Sequence, residues 1–272
     1  MAGLALATSV GLASSGSVVL AQAATQPVAH ASTHPATTPT SYRFNGTPTV
    51  GALFVPGAYP ASLHTCTASV IRSTSRDVIM TAAHCVSGTG RGYVFVPGYR
   101  DGRAPYGVWH VVAAYGNPQW VHHPHHQDTQ RDWAFLRVAD KTDGGKVMHL
   151  QDVVGGNRLG ATATAGAAIR VPAYRVGQND RPINCRTRVY RHGRYPAFRC
   201  TGYVGGTSGA PWLVGRGRHR IVIGVIGGLH QGGCTSATSY SARLGKAAHT
   251  AFERADHHRS ADAFPSPQGD GC

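Results

Sequence analysis

The chain has 272 residues, 42% of them hydrophobic, enough for one large or two small domains with a sizeable core, which excludes a fibrous or disordered protein. Its 35 Gly and 16 Pro, with few long helix-forming stretches, call for many turns between short extended segments, hence a mostly β architecture. The formal charge of +14, almost all of it arginine, favours acidic surfaces but carries no information on fold, and a GC-rich genome produces the same excess.

Residues 1–23 read as a secretory signal: an apolar stretch from Leu4 to Leu20, then Ala21-Gln22-Ala23, which fits a small-x-small cleavage site, with the cut after Ala23. No Lys or Arg precedes the apolar stretch. No other run approaches the roughly 18 apolar residues of a membrane span, so the expected product is secreted and extracellular. The even count of 6 cysteines fits an oxidising compartment. Residues 24–46, rich in Ala, Thr, Pro, Ser and His, read as a linker or short pro-segment. The folded part is expected from residue 47, where short apolar runs broken by Gly and Pro begin.

Cys66–Ile71 and Val78–Cys85 are two strand-like runs around a polar turn, and a Cys66–Cys85 bridge would staple that hairpin beside His84. Farther on, His122-His123-Pro124-His125-His126 could bind a transition metal, but Pro124 breaks helical spacing and no second cluster accompanies it, so a solvated loop is expected and no metal. Asp132 heads Trp133-Ala134-Phe135-Leu136, a pattern for a strand buried on both faces, which takes the carboxylate inside where it needs a partner. Asp128 is the rival carboxylate, followed by no strand pattern. Residues 140–168 read as a crossover between two halves. Cys185 and Cys200 enclose what reads as a disulfide-closed hairpin carrying Arg186, Arg188, Arg191, Arg194 and Arg199. It is either a solvated face or a surface that steers acidic substrates or wall polymers.

Gly206-Thr207-Ser208-Gly209 presents a serine between small residues. A serine hydroxyl needs a neighbouring base and amides aimed at the developing oxyanion. Gly206 can turn its N–H to the same point as that of Ser208. Beyond it, Ile221–Leu229 reads as an apolar strand, residues 244–255 as an amphipathic helix, and residues 256–272 as a disordered tail that Cys272 could tie to Cys234.

Thr81-Ala82-Ala83-His84-Cys85 with its upstream cysteine, then Asp132 before an apolar strand, then Ser208 in its glycine loop closely resemble the motifs of the trypsin-like (chymotrypsin-fold) serine proteases, over roughly residues 47–255. The order His, Asp, Ser distinguishes this group from subtilisins and α/β-hydrolases. The resemblance implies an all-β fold of two packed six-stranded antiparallel barrels with a C-terminal helix. The first barrel, 47–155, would carry His84 and Asp132, and the second, 156–255, would carry Ser208. It also implies a serine endopeptidase with an oxyanion hole from Gly206 and Ser208 and a substrate pocket from Gly202, Tyr203, Ile226, Gly227 and Thr238. No cofactor is expected. Expected partners are protein or peptide substrates, with polyanion or cell-wall contact through the arginine surface. No specific nucleic acid, membrane or second subunit is expected.

Two features depart from the trypsins. Thr207 stands where their zymogens carry the Asp that pairs with a new N-terminus, which places the loop nearer the bacterial branch that includes the glutamyl endopeptidases. Gly202 stands where trypsins carry their specificity Asp, and Ile226-Gly227 where acid-specific members carry a His, so a preference for uncharged residues is expected. The competing reading is a catalytically silent basic binding protein on the same fold. An esterase reading lacks the required Gly-x-Ser-x-Gly, since Ala210 ends the run.

Overall fold

The computed structural model describes Gly3 and residues 37–123 and 128–266. The remainder of the expected signal segment, residues 124–126 of the histidine cluster and Cys272 lie outside the described residues.

Six strands close into a barrel: β1 (Val50–Phe54), β2 (Cys66–Val70), β3 (Val78–Thr81), β4 (Val94–Pro97), β5 (Trp109–Tyr115) and β6 (Ala134–Val138), in the order β1-β2-β3-β6-β5-β4. β-Branched and aromatic residues suit these short strands, and alternation sends them to two different cores. Leu53, Ile79, Phe95, Trp109 and Leu136 share one cluster, whereas Phe54, Met80, Trp133 and Phe135 join a second that also holds Leu213, Val222 and the C-terminal helix. That division explains why the strand after Asp132 reads as continuously apolar.

The second half forms one seven-stranded sheet: β7 (Arg158–Leu159), β8 (Ala168–Arg170), β9 (Arg186–His192), β10 (Tyr195–Arg199), β11 (Pro211–Val214), β12 (Ile221–Val225) and β13 (Thr238–Tyr240), in the order β7-β12-β11-β8-β9-β10-β13. The strand beyond the expected six is the two-residue β7, which leaves the first barrel and lies parallel to β12. Val171, Phe198, Trp212 and Ile226 fill the core of this half. Both expected bridges, Cys66–Cys85 and Cys185–Cys200, are formed.

Two boundaries differ from the compositional reading. Residues 39–46 are tied to the second half: the Ser41 amide donates to Thr201 O, Thr201 to Pro39 O and Phe44 to Pro182 O, at 3.0, 2.8 and 3.1 Å. Extended backbone can complete a sheet edge whatever its side chains, so composition does not reveal it. At the other end the helix spans Lys246–Asp256, burying Ala248, Ala251 and Ala255. The following segment is also packed, since Phe264 is buried and exchanges both backbone hydrogen bonds with Gly88. One aromatic anchor orders what the polar composition reads as a loose tail.

Candidate active site

Asp132 is fully buried where β6 begins, and three donors converge on it. His84 Nδ1 lies 2.8 Å from its Oδ2, the His84 amide donates to Oδ1 at 3.0 Å, and the Gly228 amide donates to Oδ2 at 2.7 Å. A carboxylate oxygen accepts, so Nδ1 donates to it, and in the neutral imidazole that tautomer leaves the Nε2 lone pair free. Gly227 must be glycine for this contact, because a Cβ there would stand 2.9 Å from Oδ2 of Asp132. Asp128 has a simpler role, accepting the Gln130 amide at 3.0 Å to cap the turn Thr129–Arg131.

The serine loop is pressed onto the β3 end that leads to His84. Gly209 has φ +81°, and a Cβ on it would meet Thr67 O at 2.1 Å, Thr81 Oγ1 at 2.2 Å and the Ala82 amide at 3.0 Å. The Ser208 carbonyl accepts the Thr67 amide at 2.8 Å. Within the loop the amides of Thr207, Gly209 and Ala210 are committed to the carbonyls of Val204, Ile226 and Thr207. Among the described residues those of Gly206 and Ser208 have no backbone acceptor. The Gly205 carbonyl accepts from Val176 at 2.7 Å, so the planar trans peptide turns the Gly206 N–H to the opposite side. Gly206 holds φ +89°, and a Cβ would lie 1.9 Å from the Val176 nitrogen. Thr207 satisfies its hydroxyl within the loop, on Val204 O at 2.8 Å, and introduces no charge that an N-terminal ammonium could neutralise.

Sequence reasoning missed the support behind this loop. The Thr67 hydroxyl donates to Gly206 O at 3.0 Å and accepts the Tyr174 amide at 2.9 Å. His64 and Gly177 pair through their backbones, and His64 Nε2 lies 2.7 Å from Asp180 Oδ1. The His64 ring is fully buried among Phe54, Tyr99 and Tyr174. Burial, reinforced by the Asp180 charge, pushes the Tyr174 hydroxyl well above an ordinary tyrosine. These contacts fix residues 174–177, on which Gly205 and Gly206 rest.

A cavity of about 320 Å³ opens beside Ser208. Of the expected pocket residues, Tyr203 and Ile226 line it. Tyr203 turns its hydroxyl onto Val171 O, away from the opening. Gly202 packs on Ser41 and Arg175, Gly227 on Asp132, and Thr238 pairs with Arg199, so these three stand outside the lining. Much of the remaining wall is 230–236, including His230 and Gln231, both with left-handed backbones at φ 51° and 47°. No sequence signal marked them, because non-glycine residues rarely take that conformation. His122 and His123 are exposed, and among the described residues no group of three or more potential ligands could hold a metal.

The family described as trypsin-like peptidase domain matches residues 66–225. No curated protein sequence matches. Among solved structures, the chain is similar to the protease Anisep from Arthrobacter nicotinovorans, with TM-score 0.66 and 24% identity over 80% of this chain and 100% of that one. It is also similar to the thermostable serine protease AL20 from an extremophilic microorganism, at 0.63 and 20% over 78% and 98%. A Glu endopeptidase aligns at 0.59 and 16% over 80% and 97%. The fold is chymotrypsin-like, a closed six-stranded barrel and a second, seven-stranded sheet with a C-terminal helix.

Proposed function

Since the chain belongs to the trypsin-like peptidase family, whose match spans more than half of it, we propose that it is a secreted serine endopeptidase working through Ser208, His84 and Asp132. The observation that carries this reading is the buried His84–Asp132 pair, 2.8 Å between Nδ1 and Oδ2, beside a serine loop in which two amides have no backbone acceptor among the described residues. In this mechanism Ser208 Oγ attacks the substrate carbonyl while His84 Nε2 takes its proton. Asp132 holds the ring in that tautomer and stabilises the imidazolium. The Gly206 and Ser208 amides receive the oxyanion, a contribution of roughly 3–4 kcal/mol per donor. His84 then protonates the leaving amine, and water releases the acyl group from Ser208 by the reverse steps. The disulfides and the apolar N-terminal stretch support export.

The described lining of the 320 Å³ cavity holds no Asp, Glu, Lys or Arg, which supports a preference for uncharged side chains before the scissile bond. A fluorophosphonate probe tests the chemistry: the purified protein labels on Ser208 and the Ser208→Ala variant does not. If neither form labels, the protease reading fails. A peptide library tests the pocket, where a profile dominated by acidic or basic residues would overturn the neutral preference.

A further inference from the structure

A second cleft, of about 640 Å³, lies on the sheet of the second half and shares no lining residue with the cavity beside Ser208. Arg170, Arg186, Arg216 and Arg220 line it, over a floor that includes Ile169 and Leu213. Arg170 on β8 and Arg186 on β9 are directly opposed cross-strand partners. Like charges in that position destabilise a sheet. Among the described residues no carboxylate is ion-paired with either. Among the described residues the arginine ion pairs are those of Arg76, Arg131, Arg137, Arg181 and Arg254. Of the four cleft arginines only Arg220 has a side-chain hydrogen bond among the described residues, Nε to Asn157 Oδ1 at 3.2 Å. Burial, and then the charge of Arg186, pulls the Arg170 pKa below an ordinary arginine's, with the Tyr42 hydroxyl acting the other way; burial and Arg170 do the same to Arg220. The protein thus keeps four guanidinium groups in one cleft, those of Arg170 and Arg220 partly desolvated and none ion-paired among the described residues, at a cost that a bound anion would offset.

We propose that this cleft is a binding site for a phosphate-bearing polymer without bases, since no aromatic side chain is among its described lining residues for a base to stack on, with a phosphate held between Arg170 and Arg186 and the next toward Arg216. A carboxylate presents two oxygens in one plane, which match a single guanidinium fork side-on, whereas a tetrahedral phosphate presents further oxygens out of that plane and can meet two guanidinium forks from different sides at once. The cleft's volume falls within the roughly 300–1,000 Å³ of small-molecule and cofactor sites, room for more than one phosphate group. Apolar walls under the charges concentrate the field in the cleft. The site does not depend on the proteolytic reading, because no residue of it belongs to the Ser208 machinery.

The test titrates the full chain with inorganic polyphosphate, inorganic phosphate, polyglutamate and single-stranded DNA at fixed salt. Two double variants are compared, Arg170→Gln with Arg186→Gln in the cleft, and Arg191→Gln with Arg194→Gln on the exposed end of the same hairpin, so that both lose the same charge. Polyphosphate is expected to bind the wild type far better than single phosphate does, since linked contacts reinforce one another. The cleft variant weakens it at least about tenfold, the scale of one lost charge-assisted hydrogen bond. The hairpin variant changes it less than about threefold, as expected of screened, distant charge. The ligand-free cleft variant should melt at or above the wild type, because a repulsive pair is gone. If it melts lower, Arg186→Lys replaces it, keeping the charge without the fork and still weakening polyphosphate. Equal losses in both double variants would reduce the effect to net charge and overturn the proposal. Equal or tighter binding of polyglutamate or DNA would overturn the ligand assigned.

Discussion

At Asp132 a single carboxylate accepts two amides and one imidazole nitrogen while wholly buried. In an Asp132→Asn variant the new amide would donate where only acceptance is useful, forcing His84 into the other tautomer. We expect kcat to fall about 10⁴-fold, with the melting temperature nearly unchanged; burst and steady-state kinetics on one peptide substrate check this. Gly206 is constrained by backbone, because φ +89° and a 1.9 Å approach to Val176 leave no room for a methyl group. Gly206→Ala should displace its amide and slow fluorophosphonate labelling by about 10²–10³, the scale of one lost oxyanion donor. Both residues stand out in the chain because their motifs are local: Asp132 heads an apolar strand and Gly206 lies two residues before Ser208. His230 and Gln231 carry no such mark, and only the fold places them on the cavity wall.

The segment 174–177 shows how a piece of chain outside the proposed triad can hold the serine loop in place. It is held from the first barrel by Thr67 and by the His64–Asp180 pair, and from the serine loop by the Val176 amide on Gly205 O. Asp180→Ala would leave His64 buried without its partner, which we expect to cost roughly 2 kcal/mol of stability. It should also slow probe labelling, since the support of Gly206 loosens; a stability loss with unchanged labelling would mean that the pair only packs. The C-terminal helix makes a related link, with Asp256 accepting the Ser75 and Thr74 amides at 2.7 and 3.0 Å. Burial opposes ionisation of Asp256, but those amides prevail and hold its pKa below the usual carboxylate value. Its contribution is therefore present above pH 4 or so, where the unfolded carboxyl ionises, and disappears as pH falls through the lower folded value. Asp256→Asn should lower the melting temperature at pH 7 and narrow its gap from wild type toward pH 3.

The molecule as a whole is knit together by segments that composition reads as loose. Residues 39–46 complete edges of the second half, and Phe264 docks on Gly88. A chain beginning at residue 47 should melt several degrees below one beginning at 39, because it loses hydrogen bonds each contributing about 1 kcal/mol; equal melting temperatures would mean the segment only rests on the surface. The formal charge of +14 acts at this scale as well. Long-range attraction to acidic surfaces should fade with salt, whereas the Arg170–Arg186 cleft should retain a preference among anions of equal charge.

Local spacing determined the family and the proposed chemistry: three motifs in one order, two cysteine pairs at hairpin distances, glycines where backbones must touch, and an apolar strand behind Asp132. Each is readable because its constraint acts within a few residues. Tertiary structure decided what depends on distant register. Thr67 meets Gly206 across 139 positions, His64 meets Asp180 across 116, and Arg170 faces Arg186 only because β8 and β9 pair in that register. Such contacts follow from how strands align after the barrel closes, and a one-residue slip would send the same side chains to the opposite face.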